Sequence, residues 1–246
     1  MSKTSNLLDL RDYKVLNRIE KTNESNIFIV KELKSDDIYK AEVSTNEISK
    51  HIDDSKVQKF LKEISCLFQY SNNPFLIKYI GYSLTDFNNL PNITFLSENY
   101  GDMTLSDLIK QIEQKQVLHN WNDTQRLKII YSIASGMAYI HRIKFVYGYL
   151  NPDNILLDDK LNAKIGFSLF LKLNELTPEI NLTQNLSSVL YMAPEVSKNE
   201  FGYSKSAADV FSFATIVYLL FEGKNDFFKD KNPFSFRSGE MPQFSD

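Results

Sequence analysis

Short apolar runs separated by polar turns mark the first part of the chain. Lys14–Ile19, Asn26–Lys31 (with Ile27, Phe28, Ile29 and Val30) and Ile38–Val43 each read as a strand, the last preceded by the turn Lys34-Ser35-Asp36-Asp37. Strands joined by such turns predict an antiparallel meander. The period then changes. From Asp54, a residue suited to an N-cap, apolar residues fall at Val57, Phe60, Leu61, Ile64, Leu67 and Phe68, which predicts one amphipathic helix. Asn72-Asn73-Pro74 stops it, and Ile77–Leu84 and Ile93–Ser97 return to strand character. Residues 1–12 are polar and read as a loose lead-in.

Beyond Glu98–Gly101 the pattern is helical. Leu105–Ile112 predicts a helix, and Thr124–Arg142, with Leu127, Ile130, Ile133, Ala134, Met137, Ala138 and Ile140, predicts a long buried one. Ile155–Leu157 and Ala163–Ile165 are short strands joined by Asp158-Asp159-Lys160. Ser206–Phe221 is apolar nearly all round, the signature of a central buried helix. The expected fold is α+β: a small antiparallel sheet lobe with one helix, followed by a mostly helical lobe.

Composition narrows the function classes without naming one. With 246 residues, 43% hydrophobic and 24% charged, the chain can build a sizeable core. Its 28 Lys and Arg against 31 Asp and Glu leave a net charge of −3, with no basic surplus for nucleic acid or an anionic membrane. The single cysteine, Cys66, cannot form an internal disulfide. No signal-peptide core opens the sequence, and the apolar run Phe213–Phe221 is too short to cross a bilayer. A cytoplasmic or nuclear protein without membrane insertion is the expectation. His51, His119 and His141 are scattered without ligand spacing, so no metal role falls to them.

Six segments in order carry more. Phe145-Val-Tyr-Gly-Tyr-Leu-Asn-Pro-Asp-Asn-Ile-Leu-Leu157 resembles the protein-kinase catalytic loop I-H-R-D-L-K-P-x-N-I-L-L. Lys164-Ile-Gly-Phe-Ser168 stands where K-I-x-D-F-G would be, Tyr191-Met-Ala-Pro-Glu195 is an intact A-P-E segment, and Asp209-Val-Phe-Ser-Phe matches D-V-W-S-F. Glu63 falls at the αC glutamate, followed by Asn73-Pro74-Phe75-Leu76-Ile77 for H-P-N-I-V. The chain therefore resembles the protein kinase superfamily, with a tyrosine-kinase-like flavour, over about residues 13–246. The resemblance implies an N-lobe over 13–97, a hinge at 98–101 and a C-lobe over 102–246. By the resemblance the final C-lobe helices are missing, and with them the Arg that pairs with the A-P-E glutamate (here Glu195), so that either the sequence is a fragment or a partner covers the exposed face.

Fold does not settle activity. Kinase phosphoryl transfer uses a Gly-rich loop over the phosphates, a β3 lysine, a base aspartate, and an aspartate and asparagine for magnesium. Here Ile19-Glu20-Lys21-Thr22-Asn23-Glu24-Ser25-Asn26-Ile27 occupies the Gly-rich loop with none of its glycines. Glu42 stands at the β3 lysine and faces Glu63 by the resemblance; a like pair at 4 Å costs ~4 kcal/mol at an effective dielectric of ~20. Lys40, two residues earlier, would fill part of the base pocket. Tyr147, Gly148 and Tyr149 replace His, Arg and Asp, and Asn151 replaces the loop lysine. A phenol with a pKa of ~10 is a poor general base at neutral pH. Asn154 is kept, but Gly166 replaces the magnesium aspartate and Ser168 the following glycine, and one neutral amide is a very weak magnesium site.

What is kept is packing: Phe167, Tyr147 and Leu67 at the positions that stack between lobes, and Asp209, placed to bond the catalytic-loop backbone. The resemblance therefore implies a pseudokinase, a scaffold or allosteric binder in signalling with weak or no ATP binding, no magnesium and protein partners, another kinase among them. An active protein kinase with relocated residues and a non-functional relic are the alternatives. Thr177, Thr183, Ser187, Ser188 and Tyr191 are phosphate acceptors by type, yet Gly148 removes the Arg through which such a switch gains ordering energy.

Overall fold

The structure is a computed structural model that describes residues 6–21, 25–45, 54–116, 121–148, 150–167, 169, 191–197 and 205–222. The chain divides into two compact units, one formed by residues 1–100 with 168–180 and the other by 101–167 with 181–246.

Unit 1 carries β1 (Tyr13–Lys21), β2 (Ser25–Glu32), β3 (Ile38–Ser44), α1 (Asp54–Tyr70), β4 (Tyr79–Ser83) and β5 (Thr94–Glu98). The strands form one antiparallel sheet of five in the order β1-β2-β3-β5-β4. All five strands and α1 fall where apolar periodicity puts them. Strand alternation then sorts the side chains. Register pairs Phe28 with Ala41 and Ala41 with Leu96, giving an outer face whose core is Leu10, Val30, Ala41 and Leu96. The inner face holds Ile27, Lys40, Glu42 and Phe95, and α1 packs on it through Phe60 against Phe95 and Phe68 stacked on Tyr79 at 5.5 Å.

Residues 6–12 correct the expectation of a loose lead-in. Leu10 is buried in the outer-face core, Leu8 packs against that core, and Leu7 bridges Tyr82 in parallel. Leu10–Asp12 form a 3-10 turn capped by the Asp9 side chain, and the chain then enters β1 directly. Two alternate leucines are too short a run to signal a strand by period alone.

Unit 2 opens with β6 (Met103–Thr104), a rung that no sequence pattern marks, followed by α2 (Leu105–Glu113), α3 (Asp123–Arg142), β7 (Ile155–Leu157), β8 (Ala163–Ile165), α4 (Pro194–Ser197) and α5 (Lys205–Glu222). The three short strands pair in the order β6-β7-β8. Thr104 and Asp107 form a reciprocal capping box that starts α2. Gly101 lies just ahead, where a Cβ would sit 2.0 Å from the Leu157 carbonyl oxygen at φ +51°; only glycine fits that approach. The buried face of α3 is Ile129, Ser132, Ile133, Gly136, Met137 and Ile140. The expectation of full burial for the two long helices needs correction, because Leu127 and Tyr131 on α3 and Val210 and Phe221 on α5 are exposed. Apolar residue type reported a helix here but overstated how much of its girth is covered.

Candidate functional site

The loop between α3 and β7 is built around one carboxylate. Asp209 on α5 is 2% exposed, and its Oδ2 accepts the Tyr147 backbone N–H at 3.0 Å while Oδ1 accepts that of Gly148 at 2.7 Å. His141, in the last turn of α3, places Nε2 2.8 Å from the same Oδ2. The expected bond from Asp209 to the loop backbone is therefore present, and it is made twice. Gly148 adopts φ +82°, a left-handed conformation that suits glycine, with open space where a Cβ would stand.

Tyr147 is fully buried and fills the space beneath the loop. Its ring lies 5.3 Å from that of Phe167, and Phe145 meets Phe167 edge-on at 6.0 Å. The Tyr147 hydroxyl donates to the Gly166 carbonyl, and the Gly166 N–H donates to the Asn154 carbonyl at 2.8 Å. Asn151, at the loop-lysine position, is a buried N-cap: its Oδ1 accepts the Asn154 N–H at 3.1 Å and starts the 3-10 turn Pro152–Asn154. Asp158 is likewise occupied, accepting the N–H groups of Lys160 and Asn162 at 2.9 and 2.8 Å in the turn between β7 and β8. Tyr149 and Ser168 lie outside the described residues. Among the described residues no three His, Cys, Asp or Glu side chains gather as a metal-binding group.

A small pocket adjoins this loop within unit 2, lined among others by Gly148, Leu150, Tyr191, Met192 and Ser212. Ser212 donates to the Tyr191 carbonyl at 2.6 Å, which fastens the A-P-E segment to α5. Burial, with Asp153 and Glu113 nearby, raises the Tyr191 phenol pKa well above its usual range.

In unit 1 the inner sheet face carries Glu42 and Lys40 in adjacent same-face positions of β3. Burial raises the Glu42 carboxyl pKa, Lys40 pulls it back down, and Glu20 pushes it up again. Glu20 reaches that neighbourhood because both it and Glu42 pair across Ile27. Among the described residues, the like charge that acts on Glu42 comes from Glu20 on β1. The Glu63 backbone sits in α1 as expected, while its side chain lies outside what is described.

The family model described as protein tyrosine and serine/threonine kinase matches residues 14–237. The chain belongs to that kinase family. It is similar to the lectin-domain containing receptor kinase VI.3 of Arabidopsis thaliana, 32% identical over 120 residues covering 48% of this chain and 17% of that protein. Similarity extends to the tyrosine-protein kinase receptor svh-2 of Caenorhabditis elegans, 27% identical over 75% of this chain and 17% of the relative. It extends also to the G-type lectin S-receptor-like serine/threonine-protein kinase SD1-13 of Arabidopsis thaliana, 28% identical over 77% of this chain and 21% of the relative. The chain thus spans about a fifth or less of the length of these relatives. No helix among the described residues is long and apolar enough to cross a membrane.

Within the kinase fold, the structure brings Tyr147, Gly148, Asn151, Asn154, Gly166, Phe167 and Asp209 together in unit 2, and Lys40 and Glu42 in unit 1. Sequence reasoning missed His141. Its partner lies 68 residues away, and the one available signal, a histidine in the last turn of a helix, speaks only for a helix C-terminus.

Proposed function

We infer that this kinase-family domain is a pseudokinase, a protein scaffold or allosteric binder that transfers no phosphate. The observation that carries the reading is the state of the catalytic loop. It is held by a buried carboxylate and packed on Phe167, yet its chemical positions are Gly148, Tyr149 and Asn151, with Gly166 beside them. Asn151 already serves as a cap, so it is not a phosphate ligand in waiting.

The donor set does not fit magnesium. Gly166 supplies no carboxylate, and its carbonyl and N–H are both engaged within the loop. Magnesium dehydrates reluctantly and prefers carboxylate and phosphate oxygens, which an asparagine amide alone does not replace. In unit 1, Glu42 presents a carboxyl group at the position where a kinase presents a phosphate-binding lysine, with the Glu20 carboxylate as its neighbour. Weak or absent magnesium-ATP binding follows, and protein surfaces are left as the domain's means of action. A net charge of −3 argues against nucleic acid as the partner.

Two measurements test this. Calorimetry with ATP, with and without magnesium, is expected to give no magnesium-dependent binding in the micromolar range. Phosphate incorporation into a generic substrate and into the chain itself is expected to match a heat-killed control. Turnover above that control would establish an active kinase with relocated residues and end the pseudokinase reading.

A further inference from the structure

We draw no further inference here: the strongest candidate, the cleft on the outer side of unit 1 between residues 7–11 and the loop that follows β4, where Leu7 lines the wall and Leu84 and Leu90 are exposed, carries nothing, because nothing in the structure shows what covers it.

Discussion

Asp209 offers the most direct measure of how much the loop depends on one side chain. Replacing it with alanine removes the acceptor of the Tyr147 and Gly148 N–H groups and the partner of His141 in a single step. Leaving a buried donor unsatisfied costs ~1–3 kcal/mol, and hydrogen bonds to a charged acceptor lie at the upper end of that range. Two stranded N–H groups therefore predict a loss of about 3–6 kcal/mol for Asp209→Ala. Asp209→Asn keeps one acceptor oxygen but turns an NH2 toward a donor, so about half that loss is expected. His141→Ala leaves both backbone bonds intact and should cost clearly less than either. Urea unfolding monitored by circular dichroism gives the free energies, and amide exchange at Tyr147 and Gly148 localises the effect. A loss below ~1 kcal/mol for Asp209→Ala would refute the claim that this carboxylate holds the loop.

Glu42→Gln should stabilise the chain at neutral pH. Burial holds the Glu42 pKa above its unfolded value, so the folded state binds more protons between the two values and stability falls as pH rises through that window. The gain from glutamine should vanish below the ordinary carboxylate range, as read from urea midpoints at several pH values. Gly148→Ala is expected to cost about 1–2 kcal/mol by backbone strain alone, since φ is +82° and open space surrounds the new Cβ, and Gly148→Asn should cost less. Restoring transfer residues singly, as Tyr149→Asp, Gly166→Asp or Glu42→Lys, should yield no phosphate incorporation, because base, metal ligands and phosphate clamp act together. Gly101→Ala should lower the melting temperature sharply, as its Cβ would overlap the Leu157 carbonyl, and an unchanged transition in calorimetry would contradict that contact.

Much of this architecture can be read from residue order. Strand alternation and helical period locate the unit 1 strands and α1, and α2, α3 and α5 as helices, because burying one face imposes a period on the sequence. The motif at Asp209 points to the loop backbone, and the structure places two N–H groups on it. What escaped has a common cause. β6 is two residues long, and residues 6–8 make a single rung, so neither spans a full period. The need for glycine at Gly81, where a Cβ would stand 2.4 Å from the Asn6 carbonyl oxygen, exists only once that backbone has been laid across it. His141 and Glu20 act through partners on other elements, and Asn151 reads as a lost lysine until the turn it caps is seen.

The Tyr147 phenol has a consequence for the history open to this chain. Its ring packs against Phe167 and its hydroxyl engages the Gly166 carbonyl, so the residue at the loop's histidine position is now part of the neighbouring segment's support. Changing Tyr147 to histidine would empty space beside Phe167 and strand that carbonyl, a loss of stability that is independent of the loop's chemistry. On the pseudokinase reading proposed above, selection meets that loss before any gain of function. The tyrosine then works as a ratchet: a substitution whose neighbours have grown to need it closes the route back.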